Sequence, residues 1–157
     1  MELAAGLRAS VRVVVSEADT AIAAGSGDVP VLATPRLLAL AEAASVAALG
    51  PHLAAEMTSV GTAVSLEHRR ASPVGAEVVV EAELTEVDGR RLVFSFIVRH
   101  SPPGSDGGDD GGPDRAGRGI SESDPGAEED LVVGAGTLER VVVDREKFLA
   151  RAVAPAS

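Results

Sequence analysis

The chain contains no cysteine, no tryptophan and no tyrosine, and only three phenylalanines. Without cysteine there is no disulfide framework, no thiolate nucleophile and no sulfur-based zinc site. A reducing cytoplasmic setting suits such a chain. Aromatics at 2% remove the stacking platforms on which single-stranded nucleic acid is bound. Positive charge is scarce as well: 14 Lys and Arg stand against 24 Asp and Glu, for a net charge of −10, so no duplex-binding face is expected. No apolar run approaches the ~18 residues needed to span a membrane, and no basic start leads into an apolar segment at the N-terminus. Paired histidine spacings such as HxxxH are missing, so neither a metal nor a cofactor is expected.

What is present is aliphatic. Hydrophobic residues make up 45% of 157, enough for one domain, spanning 1–157, with a core of Val, Leu, Ala and Ile. The acidity is local. "SPPGSDGGDDGGPDRAGRGISESDPGAEED", residues 101–130, holds nine acidic residues, two arginines, eight glycines and four prolines. That is a charge of −7 in one segment, leaving −3 for the rest of the chain. Such a segment buries too little apolar surface to offset its ordering entropy and reads as a disordered loop insertion.

Strand patterns flank it. "LRASVRVVVS" (7–16) alternates Leu7, Ala9, Val11, Val13 and Val15 against Arg8, Ser10 and Arg12. "SVGTAVSLEHRRAS" (59–72) alternates Val60, Thr62, Val64, Leu66 and His68 against Gly61, Ala63, Ser65 and Glu67. In "AEVVVEAELTEV" (76–87), Val78, Val80, Ala82 and Leu84 share one face. Period-2 alternation signals antiparallel strands with one buried side. "VDGR" (87–90) offers Asp-Gly as a hairpin turn into "RLVFSFIVRH" (91–100), and "LVVGAGTLERVVV" (131–143) completes five strands.

"TPRLLALAEAASVAALG" (34–50) is the one long helix, with Thr34 at the N-cap, Pro35 opening it and Gly50 closing it. It is apolar nearly all round, so the sheet must wrap it. The expected fold is therefore α+β, the hotdog architecture: a curved antiparallel five-stranded sheet around a central helix. Between Arg36 and Gly50 the only charge is Glu42, in line with Leu38 and Val46. A buried carboxylate without partners costs several kcal/mol, so Glu42 must reach solvent, pair with an arginine or be used. His68, counted by twos from Val60, points to the buried face and is the second candidate.

The order and spacing of these motifs resemble the fluoroacetyl-CoA thioesterase-like branch of the hotdog superfamily. The matching stretches are "ATPRLLALAEAA", "SVGTAVSLEHRRASPVG", "VEAELTEVDGRRLVFSF" and "GAGTLERVVVDREKF". The resemblance implies hydrolysis of a small acyl-CoA thioester by a homodimer, or a higher oligomer, with sites at the subunit interface. Coenzyme A then enters only as part of the substrate. Thr34, Glu42 and His68 would form the catalytic set, Gly61 would lie near the acyl group, and Arg140 matches a family arginine. Arg69, Arg70, Arg90 and Arg91 are candidates for the CoA phosphates. The family's best-known members gate the acyl pocket with phenylalanines, whereas "AGSGDVPVLA" (24–33) has no aromatic. An acyl group other than fluoroacetyl is therefore expected, chosen by Val29, Val31 and Leu32.

The chemistry agrees: thioester hydrolysis needs a nucleophile or base, a proton carrier and donors for the oxyanion. Two other readings share the fold, a dehydratase and a module that binds an acyl thioester or carrier protein without cleaving it. Convergence of Glu42 and His68 on one point favours hydrolysis. An ion pair between Glu42 and Arg140 favours binding or a structural role.

Overall fold

The computed structural model describes residues 3–101 and 131–153, so the acidic 101–130 segment falls, apart from its first residue, outside the described residues. Five strands form one antiparallel sheet in the order β1-β3-β4-β5-β2. They are β1 (Arg8–Val14), β2 (Met57–His68), β3 (Glu77–Asp88), β4 (Arg91–His100) and β5 (Val132–Asp144). The long helix α2 (Thr34–Leu49) lies chiefly on β1 and β3, with β2 and β4 at its flanks. Among the described residues two short helices accompany it, α1 (Ala21–Ala24) and α3 (Arg145–Val153). This is the expected hotdog arrangement.

The period-2 reading of β1 holds residue by residue, and that of β3 holds as far as Leu84, where its pairing with β4 slips. Val78, Val80, Ala82 and Leu84 of β3 and Leu92, Phe94, Phe96 and Val98 of β4 are all buried. Against them α2 sets Leu37, Leu40, Ala41, Ala44, Ala48 and Leu49. Each large aliphatic side chain buried here contributes roughly 1.5–3 kcal/mol, and the alanines let the helix axis approach the sheet. Ser45, also fully buried, donates its hydroxyl to the Glu42 carbonyl at 2.6 Å. The helix is not enclosed all round, however. Val46 remains 49% exposed, so the stripe carrying Glu42 opens outward.

Two local expectations shift. The β3–β4 loop is Gly89-Arg90, with Gly89 at φ 59°, while Asp88 stays in the strand paired with Arg91. Gly50 closes α2 as expected, though with helical φ, and leads into a 3₁₀ turn over Gly50–His52. The alternation of β2 breaks where its pairing to β5 slips between Gly61 and Ala63. A bulge of this kind places one extra residue, here Thr62, and reverses which side chains face the core. Val60 therefore leaves the helix side and Gly61 takes it, opposite Arg140. Leu66 and His68 keep the expected side, opposite Gly136 and Gly134.

Those two glycines allow β2 and β5 to meet. A Cβ on Gly136 would sit 1.9 Å from the Ser65 carbonyl oxygen, and one on Gly134 would sit 2.6 Å from that of Glu67. Backbone atoms cannot yield as a flexible side chain would. Gly136→Ala is therefore expected to destabilise the protein by at least about 1–3 kcal/mol, the usual cost of overpacking. Gly50→Ala, which meets nothing within 4 Å, should be neutral or stabilising. Urea denaturation of both variants checks the contrast.

Candidate active site

The entry to α2 is built by the residues before it. Ser16 donates its backbone N–H to the Asp19 carboxylate at 2.9 Å, and Arg36 donates to the same carboxylate at 2.8 Å. The Ser16 N–H, with Arg36 adding to it, holds the Asp19 carboxyl below the usual range. Asp19 also accepts the Ala33 N–H on its backbone carbonyl at 2.9 Å. The first turn of α2 is thus pinned from outside.

Ala33, not Thr34, is the N-cap, and no side chain caps the helix. Pro35 falls at the second helical position, where its missing N–H is equally harmless. Thr34 is therefore the first helical residue, and its hydroxyl is free for another partner. It lies 2.7 Å from His68 Nδ1. His68 reaches it from the last residue of β2, on the face that Gly134 leaves open. Its other nitrogen, Nε2, is buried and is the side-chain polar atom that lacks a hydrogen-bond partner among the described residues. Burial lowers the His68 pKa below its ordinary value, opposed by a weaker interaction with the Arg70 backbone. The imidazole is therefore neutral at neutral pH.

A cleft of about 300 Å³ opens beside this pair. Val29, Val31 and Leu32 form one wall, and Arg69 and Arg70 form the rim. The sequence candidates Thr34, His68, Val31, Leu32, Arg69 and Arg70 thus share one cleft. Arg69 pairs with Glu67 at 2.6 Å at the surface. Arg90 and Arg91 do not join them: they sit at the β3–β4 turn, at the far end of β4, where Arg91 is ion-paired with Glu139.

Glu42, Gly61 and Arg140 form a second cluster. Thr34 and Glu42 are eight residues apart, about 12 Å along a helix axis. Arg140 donates to Glu42 Oε2 at 3.0 Å, to the Ser59 hydroxyl at 2.9 Å and to the Ser59 carbonyl at 3.0 Å. The Arg140 side chain is only 6% exposed, whereas that of Glu42 is 38% exposed. A Cβ on Gly61 would stand 2.6 Å from Glu42 Oε2, so glycine keeps room for the carboxylate. Within one chain, then, Glu42 does not converge with His68; it holds an ion pair with Arg140. Ser59, which clasps Arg140 from two sides, went unnoticed in the sequence because a serine in a strand carries no pattern.

Comparison with known proteins decides the family. The model of the fluoroacetyl-CoA-specific thioesterase family, FlK, matches residues 15–102. A fluoroacetyl-CoA thioesterase of Streptantibioticus cattleyicolor is 35% identical over 121 residues, covering 77% of this chain and 67% of that protein. The chain belongs to the FlK thioesterase family. The solved structure of the fluoroacetyl-CoA thioesterase FlK superposes with a TM-score of 0.75 at 27% identity, covering 100% of both chains. A threonine-to-serine variant of FlK in complex with acetyl-CoA gives 0.72 at 29%, over 98% of this chain and 100% of that one. A hot-dog-like protein from Thermanaerovibrio acidaminovorans, 19% identical with a TM-score of 0.71 over 95% and 90% of the chains, shares the fold.

A histidine with a lowered pKa takes up its proton in the unfolded chain before it does in the folded one. Above pH ~6.5 His68 carries no such penalty. As pH falls below that value and through the folded pKa, stability is lost. NMR titration should show the His68 ring charging at a lower pH than an ordinary histidine, and Thr34→Val should move that titration.

Proposed function

We propose that this protein hydrolyses a short acyl-CoA thioester to the free acid and coenzyme A, with the reacting carbonyl held in the Thr34–His68 cleft. The observation that carries the reading is the 2.7 Å contact between Thr34 and a neutral His68, at the mouth of an aliphatic cleft rimmed by arginines, in a chain of the FlK family. His68 Nε2, buried and unpartnered, serves for proton transfer. One water is consumed, the C–S bond breaks, and a proton reaches the departing thiolate. Thr34 fixes the imidazole through Nδ1, and the positive end of α2 lies beside the carbonyl oxygen. Glu42 supplies the carboxylate that attacks the thioester or activates the water. Gly61 leaves space for it and Arg140 orients it. Arg69 and Arg70 meet the CoA phosphates. No cofactor or metal takes part.

The chain acts as a homodimer or higher oligomer. Supporting this, Glu42 and the Thr34–His68 pair stand apart in one chain, and β2 is an edge strand with an exposed run from Gly61 to Ser65. A second copy across that edge would bring unlike clusters together. Among the described residues no helix is long and apolar enough to cross a membrane, which accords with action in the cytoplasm without membrane or nucleic-acid partners. Val29, Val31 and Leu32 select an aliphatic acyl group other than fluoroacetyl.

The Glu42–Arg140 ion pair is the one observation favouring a binding module without turnover. Free-thiol release from a panel of short acyl-CoAs, including fluoroacetyl-CoA, separates the two. Wild-type turnover that falls at least ~100-fold in Glu42→Gln, the size expected for loss of an essential base, is the expected result. Full turnover in that variant would make Glu42 structural, and no turnover by wild type on any thioester would leave the binding module.

A further inference from the structure

Arg69, Arg70 and Ala71 line the cleft, and the short segment that carries them on to Pro73 is tied down at both ends. Arg69 and Arg70 donate their backbone N–H groups to the Val133 carbonyl at 2.8 and 3.1 Å. Pro73 forms a bridge with Val31, and the Ser72 carbonyl accepts the Leu32 N–H at 2.8 Å. The arginine rim and the aliphatic wall thus meet at Ser72. Its side chain is fully buried, with the hydroxyl 2.7 Å from His100 Nε2. His100 closes β4, and its backbone N–H donates to the Leu131 carbonyl at 2.8 Å, so the residue that carries the ring belongs to the sheet rather than to the loop. Burial, with the nearby charge of Arg70, lowers the His100 pKa, which keeps the ring neutral and able to share one hydrogen with Ser72. A buried hydroxyl left unpaired is costly, so this contact fixes where Ser72 sits.

We propose that Ser72 and His100 are a positioning pair that holds the Arg69–Arg70 rim against the Val31–Leu32 wall and thereby sets affinity for the coenzyme end of the substrate. The inference rests on the thioesterase reading above. Neither residue touches the reacting atoms; each acts through the segment it locks. Loosening that segment leaves the Thr34–His68 contact in place but lets the rim arginines move away from the phosphates.

The test compares a short acyl-CoA with the matching acyl-N-acetylcysteamine thioester, which lacks the nucleotide and its phosphates. Ser72→Ala should raise KM for acyl-CoA about fivefold to tenfold, with a smaller change in kcat. The kcat/KM ratio between the two substrates should fall at least about threefold. His100→Leu should do the same, and His100→Gln, which can present an amide nitrogen to Ser72, should restore most of the affinity. Thermal unfolding of each variant checks folding, and Ser72→Ala alone decides if His100→Leu does not fold. Equal losses on both substrates, a loss confined to kcat, or no loss in Ser72→Ala overturns the proposal while the thioesterase reading stands. A wild type that cleaves neither thioester removes the reading and the proposal together.

Discussion

The pairing of β2 with β5 decides which side chains meet α2, and both functional clusters depend on it. Two glycines on β5 let the strands close where any Cβ would strike the opposing backbone. One slip in register between Gly61 and Ala63 then splits β2 into two halves of opposite phase. In the half after the slip, His68 faces the start of α2. In the half before it, Gly61 and Ser59 face Glu42 and Arg140. A regular β2 would turn one of these halves away from the helix. Bulges commonly re-aim side chains beside functional sites, and here a single one sets the phase of both.

The helix imposes the complementary demand. Its core-facing side is leucine at the start and alanine through the middle, so it packs close without the aromatics the chain so largely lacks. Two of the three phenylalanines, Phe94 and Phe96, sit buried together on β4, and the third, Phe148, lies on α3. The outward stripe of Leu38, Glu42 and Val46 is then left partly open in a single chain. It combines an apolar surface, one carboxylate and an adjacent edge strand. That composition suits the subunit interface of the proposed oligomer.

Much of this was legible in the sequence, for reasons that differ by element. Strands β1, β3 and β4 declare themselves because one face is core and the other water, so alternation survives in each, in β3 as far as Leu84, where its pairing with β4 slips. The long helix reads from its proline, its glycine and the run of alanines between. Thr34 and His68 were legible as candidates, yet the cap lies one residue earlier than the pattern suggests: a shift of one residue leaves the helix signal unchanged and changes what the side chain can reach. The bulge in β2 was invisible because Gly61, Thr62 and Ala63 are all small and carry little polarity to mark a phase change. Helix α3 had a sign that went unread: Asp144 Oδ1 accepts the Lys147 N–H at 3.0 Å, the usual N-cap contact. Ser72 and His100 lie 28 residues apart, and no local pattern joins residues whose only link is the packing of a loop under a strand end.

The ion pair between Glu42 and Arg140 bears on catalysis in a more particular way than its presence alone suggests. The arginine is nearly sealed and spends its donors on Ser59 as well as on the carboxylate, so it is the fixed member. The glutamate is the exposed member, and the bond runs to Oε2 alone; among the described residues nothing donates to Oε1. A charge buried like that of Arg140 is strongly destabilising without a counter-charge, which explains why a carboxylate belongs at position 42 whatever its chemistry. Held through one oxygen, with Gly61 keeping the adjoining space clear, the same carboxylate presents its second oxygen on the open stripe of α2 in a defined direction. The ion pair thus balances the buried charge of Arg140, and it also gives a carboxylate on an exposed stripe the fixed orientation that the proposed role in hydrolysis requires.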